Sequence, residues 1–258
     1  MTAVLRISGV SKLYGGFRAV NNVSFEVDKF ETLALIGPNG AGKTTLFKLL
    51  TGETRTSSGA IAFEGNDITH MAAYQRVHLG VGRTFQVARI FPEYSALENV
   101  ILAIETRQHL VSDSKRSWYA VHPQAEVFEE AAERLHQMGM RANHLSEARE
   151  LSLGDRKRLE LTLTLALEPS MLMLDEPTAG MSPSDRNGII DLIGKIRSDL
   201  NLTVLFTEHD MDFVFGLAHR LVVLNQGEIV ASGSPTEVKN NSIVKDIYLG
   251  KMFDDAQH

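Results

Sequence analysis

Residues 33–50 read LALIGPNGAGKTTLFKLL. An apolar run, Leu33-Ala34-Leu35-Ile36, enters a loop with glycines at 37, 40 and 42, and a helical pattern begins after Lys43 and Thr44. The spacing G-x-x-x-x-G-K-T, with a strand before it and a helix after it, marks a loop that cradles phosphates. The glycines let the backbone curl so that successive N–H groups face phosphate oxygens, and the helix start adds its dipole. Lys43 brings a point charge, and the Thr44 hydroxyl suits Mg²⁺. The positions assigned to the phosphates are Gly37, Pro38, Asn39, Gly40, Ala41, Gly42, Lys43, Thr44 and Thr45. This stretch predicts binding of a nucleoside triphosphate.

The rest of the chain bounds what surrounds that loop. Its 258 residues suffice for one large α/β domain, or one domain carrying a subdomain. Hydrophobic content of 43% and charged content of 22% are those of an ordinary globular protein. A net charge of -6 gives no overall basic field toward nucleic acid, and no nucleic-acid partner is expected. The absence of cysteine excludes disulfides, thiol catalysis and cysteine metal sites, and fits a reducing compartment. The first residues, MTAVLRISGVSKLY, lack the apolar core of a signal peptide. The longest apolar stretch, 159–174, is broken by Glu160, Glu168 and Pro169 and cannot span a bilayer. A membrane role therefore has to come through a partner.

Alternation over residues 5–10 and at Val23, Phe25 and Val27 predicts an N-terminal β region, with a loop at Tyr14-Gly15-Gly16. A strand is expected over 59–63, a tight turn over 64–67 and another strand over 81–87. Ser95 and Glu98 form a capping box that opens a helix. Residues 107–122, which include Trp118, read as polar and irregular, and an amphipathic helix follows over 123–138. Beyond Leu151 a helix over 155–167, strands over 171–174 and 203–206, a helix opened by Ser182-Pro183 and a hairpin around 225–228 restore the α/β alternation. Ser234 and Glu237 cap a short helix near the end. Continuous apolar strands alternating with helices imply a mostly parallel, buried sheet. The chain thus divides into a core of 1–89 and 151–240, a helical subdomain of 90–150 and a tail of 241–258.

Met171-Leu172-Met173-Leu174-Asp175-Glu176-Pro177 places two carboxylates at the end of an apolar strand, where α/β sheets bind ligands. Asp175 suits holding Mg²⁺, and Glu176 suits polarising an attacking water. A third segment, Leu151-Ser152-Leu153-Gly154-Asp155, precedes a helix. With these three in order, the chain resembles the ATP-binding cassette (ABC) ATPases over nearly its whole length. The resemblance implies a P-loop NTPase with a mostly parallel central sheet, an N-terminal antiparallel β subdomain and an inserted α-helical subdomain.

Position by position, the resemblance implies further roles. Tyr14 stands where an aromatic stacks on adenine, and Gln86 where a glutamine contacts Mg²⁺ and water. Ser152 and Gly154 keep the phosphate-contacting part of the signature usually written LSGGQ, and Asp175 and Glu176 are the metal ligand and base. Residues 179–183 occupy the loop that crosses to a partner subunit, and His209 is the switch histidine at the γ-phosphate. Lys43, Gln86, Glu176 and His209 form the catalytic set; Thr44, Gln86 and Asp175 the metal set; ATP and Mg²⁺ the cofactors. Three positions depart from the pattern: Leu153, Asp155 and Leu163, the last where many relatives carry arginine. Asp155 puts an anion near a phosphate site and is expected to need compensation from Arg156, Lys157 or Arg158.

In that family two chains sandwich two ATP molecules, each chain completing the other's site, and the motion passes to a partner. Gly82-Arg83-Thr84-Phe85-Gln86, then Arg89-Ile90-Phe91 and Leu97-Glu98-Asn99-Val100, resemble the importer ATPases for branched-chain amino acids, urea and related amides. The insertion at 107–122, Leu159-Glu160 and the ending Ile247-Tyr248-Leu249-Gly250 fit them too. The lipopolysaccharide-export ATPases share that ending and are the alternative, with a soluble non-transport ABC ATPase behind them. The resemblance implies a second ATPase subunit, homo- or heterodimeric, separate permease chains meeting a groove formed by 88–110, and a solute-binding protein reached indirectly. It also implies a cytoplasmic protein lying on the inner face of the membrane.

Overall fold

The computed structural model describes residues 3–84, 90–111 and 125–247. Gln86, with Phe85 and Arg89, lies outside the described residues, as do Trp118, most of the insertion and the ending from Tyr248 onward. In chain order the elements are β1 (Ala3–Tyr14), β2 (Phe17–Asp28), β3 (Thr32–Ile36), α1 (Lys43–Leu50), β4 (Ser58–Phe63) and β5 (Asn66–Asp67). Next come α2 (Ala73–His78), β6 (Val81–Arg83), α3 (Ala96–Val111), α4 (Ala125–Gln137), α5 (Leu153–Ala166) and β7 (Met171–Asp175). The chain continues with α6 (Pro183–Leu200), β8 (Thr203–Thr207), α7 (Met211–Leu217), β9 (Arg220–Asn225), β10 (Glu228–Gly233) and α8 (Pro235–Asn240).

The strands form an antiparallel sheet, β2-β1-β4-β5, and a larger sheet, β10-β9-β3-β8-β7-β6. In the larger one β9, β3, β8, β7 and β6 run parallel, and only β10 is antiparallel to its neighbour. Side chains alternate across a strand, so each strand of this sheet serves two cores. Leu33, Leu35, Met171, Met173, Leu205, Val222 and Leu224 face one core, shared with the antiparallel sheet and with Leu46, Phe47, Leu49 and Leu50 of α1. Ala34, Ile36, Leu172, Leu174, Val204, Phe206, Leu221 and Val223 face the other, shared with the helical layer. This is why the strands read as continuous apolar runs: both faces are covered.

Strand order decides which chain segments meet. β8 lies between β3 and β7, with Leu35 opposite Thr207 and Asp175 opposite Thr207 on the other side. The ends of three parallel strands therefore bring the phosphate loop, the 175–176 carboxylates and the segment after Thr207 to one edge, as open α/β sheets do.

Several boundaries differ from the expectation. α3 runs to Val111 instead of stopping near 106. Arg107 holds that extension by pairing with Glu130 of α4 and Glu168, and by donating to Ala166 O. Of the strand expected over 81–87, β6 covers Val81–Arg83, and 85–87 lie outside the described residues. α5 starts at Leu153, because Ser152 is its N-cap and accepts a bond from the Asp155 N–H. The capping boxes at Ser95–Glu98 and Ser234–Glu237 are both formed.

The phosphate-loop helix α1 is closed at its far end by Arg76 of α2, which is 2% exposed. Its guanidinium donates to Leu49 O and Leu50 O, each at 2.7 Å, and to Met71 O and Thr69 O. A cation at a helix C-terminus satisfies the last carbonyls and complements the dipole. Burial pulls the Arg76 pKa down to about 10, which leaves it charged at neutral pH.

Candidate active site at the strand ends

The loop after β3 needs glycine for steric reasons that the motif alone does not reveal. A Cβ on Gly37 would lie 2.1 Å from Leu224 O at the end of β9, and one on Gly42 would lie 2.4 Å from Ala19 O of β2. Both residues also have positive φ, 152° and 103°. The loop is tied to its neighbours by bonds from Gly227 N to Ala41 O and from Asn21 N to Gly227 O. Lys43 is buried, and its ammonium donates to Gly37 O at 2.6 Å and Pro38 O at 3.2 Å. The lysine thus spans the loop it follows, held by two of its carbonyls. Thr44, at the first turn of α1, is exposed and Thr45 half-buried. Tyr14 ends β1 with 49% exposure, its ring 5.0 Å from the Lys12 ammonium.

Asp175 and Glu176 leave β7 with different surroundings. Asp175 is buried, and both its oxygens are bonded: Oδ1 accepts from Thr207 Oγ1 and Oδ2 from Arg83 Nη2, each at 2.9 Å. Glu176 has φ of 48°, a left-handed conformation uncommon outside glycine. Its N–H reaches back to Thr207 O at 3.1 Å and Thr207 Oγ1 at 3.2 Å, which holds the turn in place. Its carboxylate Oε1 lies 3.0 Å from His209 Nε2.

His209 itself sits between two pinned acids. Glu208 is buried and accepts from the Thr178 N–H, the Thr178 hydroxyl and the His209 N–H. Asp210 caps α7; the Phe213 N–H, then Arg186 and the Asp212 N–H, outweigh its desolvation and hold its carboxyl below the usual range. The imidazole, 47% exposed, is therefore carried on a fixed span with its tip at Glu176. A carboxylate with an adjacent imidazole on a rigid loop is suited to take a proton from water and to hold that water in line.

The signature segment is built otherwise. Ser152 Oγ accepts from the Asp155 N–H at 3.1 Å and donates to Asp155 Oδ2 at 2.9 Å, and the Asn143 amide bonds the same oxygen at 3.2 Å. Among the described residues the bonds to the Asp155 carboxylate come from Ser152 and Asn143, not from the expected Arg156, Lys157 or Arg158. Arg156 donates to Arg149 O, Arg158 to Met138 O, and Lys157 lies 3.7 Å from Glu160. The reason is local: an N-cap hydroxyl one turn back is nearer to the Asp155 carboxylate than side chains that point round the helix. Leu153 is half exposed, and Gly154 has only Ser152 Oγ near the place of a Cβ. Among the described residues no hydrogen bond joins this segment to loop 37–45.

Sequence reasoning missed Arg83, Thr207 and Glu208. An arginine in the short strand Val81-Gly82-Arg83 was the one available signal, since a buried strand carries a charge only where a partner waits. A groove of about 420 Å³ opens beside it, with Thr51, Glu53, Arg76, Arg83, Phe91, Asn99 and Leu163 in its lining. Leu163, at the position where arginine was expected, is an apolar part of that lining. The buried Asn99 side chain accepts from Phe91 N and donates to Phe91 O, Tyr94 O and Ser95 O, fixing the rim on which the Phe91 and Tyr94 rings stack at 5.7 Å.

The family model described as ABC transporter matches residues 20–179. The chain is 38% identical over 250 residues to the high-affinity branched-chain amino acid transport ATP-binding protein LivG of Salmonella typhimurium, covering 96% of this chain and 98% of that protein. It is 34% identical to the lipopolysaccharide export system ATP-binding protein LptB of Haemophilus influenzae, covering 97% and 99%. The ADP conformation of an ATP-binding cassette of an ABC transporter superposes with a TM-score of 0.83 at 30% identity, over 97% of this chain and all of that one.

Proposed function

Since the chain belongs to the ABC transporter family, we propose that it is the ATP-binding and ATP-hydrolysing subunit of an importer for branched-chain amino acids or related small amides. The observation that carries the hydrolytic part is the 3.0 Å contact of Glu176 with His209, at the end of strands adjoining the phosphate loop. The solute class rests on the likeness to LivG, which spans nearly all of both chains.

In this reading the N–H groups of 37–45 and Lys43 bind the phosphates of ATP, Tyr14 stacks on the base, and Gln86 joins the metal and water. Water attacks the γ-phosphorus, the bond to the β–γ bridging oxygen breaks, and Glu176 accepts the water's proton while His209 keeps the nucleophile aligned. The donor set for Mg²⁺ is hard oxygen: the Asp175 carboxylate and the Thr44 hydroxyl, with the Gln86 amide as the further oxygen that the family resemblance assigns. Among the described residues no three acidic or histidine side chains form a cage, which suits a metal held mainly by phosphates and a few protein oxygens. Bound there, Mg²⁺ would neutralise charge on the phosphates.

Ser152 and Gly154 serve the site of a second ATPase subunit, in a homo- or heterodimer, with residues 179–183 crossing to it. The groove beside Arg83 receives a permease segment, and a solute-binding protein acts only through the permease. No helix among the described residues is long and apolar enough to cross a membrane. The likeness to transport ATP-binding proteins supports a place on the cytoplasmic face of the membrane. The chain is then one domain, with 90–150 as its helical part.

The test is transport. Deleting this chain should abolish uptake of radiolabelled leucine or a short amide and leave lipopolysaccharide at the cell surface unchanged; restoring the chain should restore uptake. Lost lipopolysaccharide export with normal uptake would favour the LptB-like reading, which the 34% identity supports.

A further inference from the structure

Arg83 ends β6 with its side chain 7% exposed, and the Asp175 side chain it meets is 7% exposed as well. Its guanidinium works in two directions. Nη2 donates to Asp175 Oδ2 at 2.9 Å, while Nη1 donates to Thr51 Oγ1 at 3.0 Å and to the Glu53 carboxylate. Thr51 is the C-cap of α1. Arg83 therefore links the far end of the phosphate-loop helix to the carboxylate at the end of β7.

The remaining Asp175 oxygen accepts from Thr207. With an anchor on each oxygen, the carboxylate plane cannot rotate as a lone aspartate would. A guanidinium fork supplies direction as well as charge, which a lysine ammonium does not. Residues that orient a metal-ligating carboxylate from behind govern metal affinity without touching the metal. Thr51, Glu53 and Arg83 also lie on the wall of the 420 Å³ groove.

We propose that Arg83 is a positioning residue for Asp175, holding its carboxylate toward the nucleotide-bound metal from an anchor on the groove wall. This rests on the reading of Asp175 as a metal ligand and deepens it. In this proposal Arg83 acts through Asp175 and is not itself a ligand of nucleotide or metal. Glu53, whose side chain is 24% exposed, is the end of the relay that an occupant of the groove would reach, so what fills the groove bears on the orientation of Asp175.

The experiment titrates trinitrophenyl-ATP onto the purified full-length chain, without metal and across a Mg²⁺ series. R83M should raise the half-saturating Mg²⁺ concentration roughly tenfold, the range found when such supporting partners are lost. Metal-free nucleotide affinity should stay within about twofold, because Arg83 does not reach the nucleotide. R83K, which keeps the charge but loses the fork, should fall between, and E53Q should shift the same way by less. An unshifted Mg²⁺ dependence in R83M and R83K overturns the proposal, as does a lower half-saturating value in R83M, which would make Arg83 a charge that opposes the metal. If R83M does not fold, R83K and E53Q decide by the same criterion. D175N separates the two readings: no shift in D175N removes the metal-ligand premise and the proposal with it, whereas a shift in D175N alone overturns Arg83 only.

Discussion

The carboxylates at the strand ends and the serine at the start of α5 are both polar groups at element termini, yet they are held in opposite ways. Asp175 is bonded by Thr207, 32 residues away, and by Arg83, 92 residues away, while Glu176 meets His209 across 33 residues. Ser152 is held by Asp155, three residues on. One half of the site is thus assembled by the sheet, and the other is a helix cap that its own sequence completes. The difference has a chemical consequence. The strand-end half is preorganised, since its acids have their partners in place. The Ser152 hydroxyl is already bonded to Asp155, so in the proposed dimer a phosphate arriving at the signature would have to replace that bond.

Substitutions separate the two halves by the size of their effects. Glu176→Gln keeps the shape and the His209 neighbour but removes the proton acceptor, so turnover should fall roughly a hundredfold to ten-thousandfold, with ATP affinity retained. His209→Ala should cost less, about a hundredfold, by loosening the alignment of the water. Phosphate release and equilibrium nucleotide binding measure both; undiminished turnover in either variant would return that residue to a structural role. At the signature, Ser152→Ala removes an N-cap and should lower stability by about 1 kcal/mol, read by urea denaturation. A loss several times larger would mean that Ser152 carries more than its local cap.

The smallest expected effect lies in the helical layer, where Glu130 is bonded by Arg107 and Arg134. Burial works against its charge, but those bonds outweigh it and hold its pKa below the usual carboxylate value. A carboxyl with a depressed folded pKa contributes stability above its unfolded pKa and loses it as pH falls through the folded one. Glu130→Gln should therefore lower the melting temperature slightly at neutral pH, with a gap from the parent chain that narrows on acidification. A gap that widens in acid would reverse the assignment.

Local patterns made much of this legible in the sequence. The loop at 37–44 carries its glycine spacing openly, the acids at 175 and 176 end an unmistakable apolar strand, and the caps at Ser95, Ser182 and Ser234 are read within four residues. What stayed hidden depends on neighbours distant in the chain. No spacing tells that β8 inserts between β3 and β7, and so nothing local pairs Thr207 with Asp175 or Arg83 with Glu53. The compensation expected for Asp155 was sought in the next three residues, where charge is plentiful. It came instead from a hydroxyl one turn back and from Asn143, a longer-range partner.

The central claim is that the strand-end half and the signature half form one site only between two chains. Sedimentation of Glu176→Gln with Mg²⁺ and ATP tests it, alone and combined with Ser152→Ala. For a homodimer, the account predicts that the single variant doubles its mass when ATP is added and that the double variant stays at the mass of one chain. A double variant that pairs as tightly as the single one would contradict it.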